Sequence, residues 1–388
     1  MTTTSWRRVF LLFAVGVLAA GQIGMVPPLV PSLQHDLAMS LAAAGMAISV
    51  VTLVGATLGL LAGAWSERIG HARAARAGLL VMALAAGLCA VADDSATLLA
   101  ARAIAGAGYL LVVVAAPSLM AGIAAPQDHP ATLSLWGTFV PTGIALAGVL
   151  SAAFADRIGW RGIFAADAIL LASAFVLSMV AVPDIRPTQT AARLAMSTER
   201  FRSPALLSIA FFCFALLFLA LAGLLPTYLV EGRGLPAAQA GRIIAVTTAF
   251  AIVGSLVAGW LMRRGMSPGR LAAVGLVAST AIAALAFSAA ASVAVAASGF
   301  ALAFAIGGLV PAAVFAAVPL LANDSRAIGP INGLLAQAGS LGSLAGPPLL
   351  ALWVGVAGWA TVPIPLLVVA AIGSACALAA RLRGGPRA

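Results

Sequence analysis

The sequence predicts an all-α membrane protein with twelve transmembrane helices in two pseudo-symmetric six-helix bundles. Three observations carry this. The 388 residues are 63% hydrophobic and only 8% charged, whereas about a quarter of a soluble chain is charged. A water-soluble globule of this composition would leave large apolar surfaces uncovered, and lipid is the solvent that removes the problem. Second, the apolar residues come in long blocks, such as Val9 to Val30, Leu41 to Trp65, Leu98 to Ala124 and Ala205 to Val230. Each exceeds the roughly 20 residues that a helix needs to cross about 30 Å of hydrocarbon. Third, the two halves of the chain repeat.

Taken in order, the spans are expected at 9–31, 41–64, 75–92, 97–122, 131–154, 162–182, 205–230, 237–262, 270–290, 294–321, 330–352 and 361–380. None shows the alternating polarity of a membrane β-strand. Arg7, Arg8 and the apolar run after them imitate a signal peptide. That run continues past Gly21 to Val30 with eleven further spans behind it, so it reads as the first helix. The one long connection, Pro183 to Ser203, holds four Arg and two Pro. It divides an amino-terminal bundle (1–183) from a carboxy-terminal bundle (204–388), with 184–203 as a cytoplasmic linker.

The repeat appears at three places. Gly45 to Gly63 matches Gly241 to Gly259 at a displacement of 196. Leu29 to Leu33 pairs with Leu225 to Leu229 after a one-residue shift, and Gly143, Gly159 and Trp160 recur as Gly342, Gly358 and Trp359, displaced by 199. Ordered matches at nearly one displacement, close to half the chain, indicate duplication. Two similar bundles facing each other can expose a mid-membrane site alternately to either side.

The net charge of +10 comes from 21 Arg and no Lys. In a membrane protein such a balance reports topology rather than nucleic-acid binding. With the amino terminus inside, sixteen Arg fall in the cytoplasm against Arg157, Arg161 and Arg233 outside. Both termini are therefore expected in the cytoplasm, in a multi-pass protein of a cell inner membrane. Cys89, Cys213 and Cys376 lie inside apolar blocks and read as small buried hydrophobes, not as disulfides or metal ligands.

Between the second and third spans stands Gly63-Ala-Trp-Ser-Glu67-Arg68-Ile-Gly70-His-Ala-Arg73. This resembles the helix 2–3 signature of the major facilitator superfamily, Gly-x-Leu-Ala-Asp-Arg-x-Gly followed by basic residues, with Glu67 in place of Asp and Trp65 in place of Leu. An acid beside a helix end and basic residues can hold one conformation closed and release it in another. Gly63, Glu67, Arg68, Gly70 and Arg73 are thus a candidate conformational latch; a plain positive-inside loop is the bland reading. The matching stretch Gly259 to Gly265 lacks an acid. Leu98-x-x-x-Arg102-x-x-Ala105-Gly106-Ala-Gly108 is similar to the family's helix 4 motif, and Gly159-Trp160-Arg161 to its helix 5–6 connection. The glycines and prolines around Pro141 and Pro347 match the family's exporter motif in part, and close helix packing explains them equally well.

A charged side chain inside a span is expensive, roughly 2.5–3.5 kcal/mol at the bilayer centre on insertion scales, so it has to face water, a partner or a ligand. Arg102 and Arg242 are two such cations, about five residues into helices 4 and 8 of opposite halves. Together they suggest a clamp for a small-molecule anion, with Tyr109, Gln22, Tyr228 and Gln337 as polar lining. Asp167 is the acid well inside a span; an interfacial pair with Arg161 or Arg157 is expected for it, a proton site being the other reading. The resemblance implies a secondary active transporter working by alternating access, without cofactor or metal and monomeric in the lipid bilayer; Arg102 and Arg242 point to a small organic or inorganic anion as its substrate. A proton-coupled drug or metabolite exporter of the same superfamily is the alternative. A membrane enzyme or receptor would need an intramembrane nucleophile–base set, paired acids or an added soluble domain, and none is visible.

Overall fold

The computed structural model describes residues 3–39, 41–182, 198–287, 292–322 and 327–380, so most of the linker expected at 184–203 lies outside the described residues. Among these the chain is helical and contains no strand. The α-helices are α1 (Trp6–Gly24), α2 (Val30–Asp36), α3 (Leu41–Ile69), α4 (His71–Ala90), α5 (Ser95–Ile123), α6 (His129–Trp136), α7 (Phe139–Ala181), α8 (Thr198–Thr227), α9 (Ala237–Arg263), α10 (Pro268–Ala286), α11 (Val293–Gly307), α12 (Leu309–Leu321), α13 (Ile328–Ala357) and α14 (Pro363–Ala379).

Eleven helical stretches of the described residues are long and apolar enough to cross a membrane. One of them, Pro126–Ala181, is 56 residues long, far more than the roughly 20 that one crossing requires. It breaks at Gly159 (φ 67°, ψ 173°), which yields the twelve passes of the sequence pattern. Boundaries differ from expectation where local chemistry intervenes. α1 stops at Gly24 rather than near 31 because Pro27 and Pro28 cannot donate backbone N–H groups; a 3-10 turn, Pro27–Leu29, follows, and α2 carries the chain on to Asp36. α4 begins at His71, directly after Gly70, whose φ of 95° ends α3 in a conformation that suits glycine. α5 starts at a side-chain cap, Asp94 accepting from the Thr97 N–H at 2.8 Å. Those bonds hold the Asp94 carboxyl below the usual carboxylate range.

The duplication is written in the backbone. The described residues with positive φ are Ala38, Gly70, Gly159, Gly234, Gly265 and Gly358. They form three pairs, Ala38 with Gly234, Gly70 with Gly265 and Gly159 with Gly358, displaced by 196, 195 and 199 positions. Gly358 (φ 76°, ψ 168°) nearly reproduces the dihedrals of Gly159. Packing repeats too: Gly143 lies against the backbone of α1 at Val17, and Gly342 against the backbone of α8 at Phe212, each the first helix of its half.

The helices gather into two compact units. One holds residues 1–126, 139–192 and 326–337; the other holds 127–138, 193–325 and 338–388. Each unit therefore includes a short piece of the opposite sequence half. In the first, α5 packs against α1, α3 and α4, and α7 against α1 and α4. In the second, α10 packs against α11, α12 and α14, while α9 meets α6, α11 and α12.

Ala38 is the one member of the three pairs that is not glycine; it is exposed and has φ 49°. An L-residue there loses about 1–2 kcal/mol, of which glycine returns a part as unfolded-state entropy. Ala38→Gly is expected to stabilise the protein by about 0.5–1 kcal/mol, read as a higher melting temperature in detergent; a lower one would refute the strain argument.

Candidate transport site

Arg102 lies two turns into α5 and is fully buried (0% exposed). Gly106, one turn further, lets α3 approach so closely that a Cβ there would stand 2.6 Å from the Val51 carbonyl oxygen. The approach brings the Ala47 carbonyl of α3 to the guanidinium, whose Nε donates to it at 2.9 Å. Nη2 donates to the backbone carbonyl of Gln22 at 2.5 Å and Nη1 to its side-chain Oε1 at 3.0 Å. Gln22 sits in the last turn of α1, where carbonyls run short of intrahelical donors. Phe164 of α7 lies 6.0 Å from the guanidinium carbon.

The amide of Gln22 reaches further, donating from Nε2 to the Asp167 carboxylate of α7. Its orientation is forced: a guanidinium can only donate and an ionised carboxylate can only accept, so Oε1 faces Arg102 and Nε2 faces Asp167. Arg102, Gln22 and Asp167 form a chain from cation through amide to anion across α5, α1 and α7. Buried Cys89 of α4 lies within electrostatic reach of both charges. This corrects the expected pairing of Asp167 with Arg161 or Arg157. Arg161 instead stacks on Trp160 at 4.2 Å and reaches Asp93 at 3.3 Å, whereas Arg157 lies over Phe154. Of the three options open to a cation inside a span, water, a partner or a ligand, Arg102 has protein partners.

The other candidates are distributed. Tyr109, seven residues after Arg102, is buried, and its hydroxyl has no hydrogen bond among the described residues. Arg242 of α9 belongs to the other unit; it is exposed and makes no bond or ion pair among the described residues. Tyr228, also in that unit, packs against Phe287, Phe300 and Trp359. Its hydroxyl accepts from Arg233 Nε at 2.9 Å and donates to the Phe287 carbonyl at 3.4 Å.

Gln337 makes its contacts with α3 inside the first unit. Its Nε2 donates to the Ala56 carbonyl at 3.1 Å, and its Oε1 accepts from the Leu60 N–H at 3.2 Å. These two groups lie four residues apart on α3, so the amide bonds across one turn of that helix's backbone. The contact continues in antiparallel register. Gly59 meets Gln337, and a Cβ on Gly63 would stand 2.6 Å from the Gly329 carbonyl oxygen. Glu67 Oε1 then accepts the Gly329 N–H at 2.8 Å and lies 3.1 Å from His71 Nε2. Of the other latch candidates, Gly70 makes the turn, while Arg68 and Arg73 are exposed.

Sequence reading missed Gly329, Gly333 and His71. The signal for the glycines was present: Gly59-x-x-x-Gly63 faces Gly329-x-x-x-Gly333, small residues at the spacing that lets two helix backbones touch.

The sequence matches the family model described as Major Facilitator Superfamily over residues 12–329, and the chain belongs to that superfamily. It is a multi-pass membrane transporter of a small-molecule substrate; members of the superfamily carry solutes and are not enzymes. It is 30% identical over 351 residues to the "Probable nitrate/nitrite transporter NarK2" of Mycobacterium tuberculosis, covering 84% of this chain and 83% of that one. Similarity also extends to the gallate transporter of Pseudomonas putida, 26% over 307 residues (69% and 68% of the two chains). With the methylenomycin A resistance protein of Bacillus subtilis it is 27% over 177 residues (45% and 38%). The fold is like that of the crystal structure of the human organic anion transporter MFSD10 (TM-score 0.79, 17% identity, 95% and 98% covered).

A carboxylate at the start of a helix is stabilised by the unpaired N–H groups there, typically by 0.3–1 and up to about 2 kcal/mol in partly buried geometries. Glu67→Ala is therefore expected to loosen the α3–α13 contact, with Glu67→Gln intermediate because it keeps the acceptor but loses the charge. Hydrogen-exchange rates of the backbone amides in the first turn of α13 measure this, and equal rates in all three proteins would rule out a role for Glu67 in holding the contact.

Proposed function

We propose that the chain is a secondary active carrier that moves a small organic or inorganic anion by alternating access across a cell inner membrane. The observation that carries this reading is Arg102. A guanidinium has five N–H donors; three are spent on neutral oxygens, which leaves two for a planar oxyanion. The unengaged hydroxyl of Tyr109 follows on the same helix, and Gln22 holds the guanidinium from behind. Nitrate and gallate, named for two of the relatives, are both anions with flat oxygen arrays that suit a guanidinium fork.

Arg242 of α9 is a second candidate cation. The Tyr228 hydroxyl and the Gln337 amide are engaged inside the protein, so their service as lining requires a rearrangement. Gly63, Glu67, Arg68, Gly70 and Arg73 serve as the latch, with Gln337 as a further part of it. The carrier acts as a monomer in the bilayer. Arginine asymmetry supports cytoplasmic termini, and a reporter fused near Ala191 is expected to report cytoplasm; periplasmic activity there would invert the topology. The alternative, a proton-coupled exporter, is favoured by the resistance-protein match and by a carboxylate so close to Arg102.

Nitrate and benzoate are expected to raise the melting temperature of the purified protein, whereas a lipophilic cation is not. Arg242→Gln and Arg102→Gln are each expected to weaken anion binding by about 1.5–3 kcal/mol, the value of a lost charged hydrogen bond. Lys restores binding in part because it lacks the planar fork. Stabilisation by the cation alone would transfer the assignment to the exporter.

A further inference from the structure

We propose that Asp167 is the proton-binding group of this carrier, and that a proton on it leaves the positive charge of Arg102 for the substrate anion to balance. The proposal rests on the anion-carrier reading and deepens it by assigning the coupling ion. The charged and titratable groups around the carboxylate come from the neighbouring helices. α5 presents the Arg102 cation and α4 the buried, neutral thiol of Cys89. α1 presents the neutral amide of Gln22. At one end of this stretch Trp160 donates to Asp36 of α2, and Arg161 pairs with Asp93. At the far end Arg76 of α4 donates to the Val182 carbonyl. Asp167 thus has one cation close by, reached through one amide.

The sign of coupling follows from charge. With Asp167 ionised, the pair Arg102 and Asp167 sums to zero; an anion added beside Arg102 would bring net negative charge into a region poor in water, which is costly. A proton taken from water onto the carboxylate leaves a net positive site, and the anion restores neutrality. Gln22 keeps its orientation in both forms: a protonated carboxyl still has a carbonyl oxygen to accept from Nε2, so Oε1 stays on Nη1. The anion then takes the two guanidinium N–H groups that the neutral oxygens leave over. Proton and anion therefore bind together, and each raises affinity for the other by the same factor.

Infrared spectroscopy of the reconstituted full chain tests the first half without any substrate. A carboxylic-acid band is expected to grow as pH falls and to be missing in Asp167→Asn; a spectrum in which no titrating band is lost in that variant overturns the proposal. Nitrate or benzoate added to weakly buffered protein tests the second half. Wild type is expected to take up about one proton per anion bound, as linkage requires, and Asp167→Asn none per anion bound. Accumulation driven by an imposed pH gradient, taken as a ratio to anion exchange at equal pH in the same protein, should fall by a factor of about 5–150 in Asp167→Asn, the usual range of a coupling free energy. Asp167→Glu restores part of the gradient response, and melting temperatures confirm that each variant folds. Proton uptake unchanged in Asp167→Asn overturns the assignment of the group. Proton release on adding a lipophilic cation overturns cotransport in favour of exchange. A titrating Asp167 band with no anion binding at all would sink the anion reading and leave the protonation site standing.

Discussion

A guanidinium excluded from water has to be given acceptors by the protein, and in this chain that requirement organises the first unit around Arg102. α3 supplies the Ala47 carbonyl, α1 supplies two oxygens of Gln22, and α7 supplies the Asp167 carboxylate behind Gln22. Each contribution depends on a local feature of sequence. Gly106 lets α3 approach α5; the paired prolines end α1 where Gln22 can offer its carbonyl; Gly159 restarts the helix that carries Phe164 and Asp167. Removing one partner of such a network leaves the others buried and unsatisfied, a far larger penalty than the net worth of any single bond.

Duplication produced the scaffold but not this chemistry. The turns at Gly70 and Gly265, and at Gly159 and Gly358, keep the same handedness in both halves. The positions displaced by 196 to 199 from Gln22, Arg102 and Asp167 are 218–221, 298–301 and 363–366, and they contain no charge and no amide. Phe218 instead packs edge-on against Phe304, with Phe214 and Phe211 beyond it. One half has kept a polar network where the other has an aromatic stack. Arg242, near the start of α9, is exposed.

Spans and repeat were legible in the sequence because they rest on composition and period, which survive without knowledge of tertiary contacts. Arg102 was legible because a charge in an apolar block is anomalous wherever it points. Its partners were not. Gln22 and Asp167 are 145 positions apart, and nothing local distinguishes an acid that faces the bundle from one that pairs with a neighbouring arginine. Arg161 looked available to Asp167 by helical spacing, yet it stands at the turn and is held by Trp160 and Asp93. Tyr228 and Gln337 were read as lining because polar groups in spans attract that reading; both turned out to spend their polar atoms on backbone or on Arg233.

The site and the proposed latch share α3. Near one end its Ala47 carbonyl accepts from Arg102, and twenty residues on, Glu67 holds the first turn of α13. At about 1.5 Å per residue these points are roughly 30 Å apart, beyond the range at which either could influence the other through water at physiological salt. A continuous helix can connect them mechanically, because a shift that breaks the Ala47 bond also displaces Gly59 and Gly63 against Gly329 and Gly333, where backbones touch and leave no slack. Gln337 reinforces that connection: its amide donates to the Ala56 carbonyl and accepts from the Leu60 N–H, so α3 cannot slide along the start of α13 without breaking both bonds. A displacement at either end of α3 is therefore felt at the other through one helix rather than through solvent.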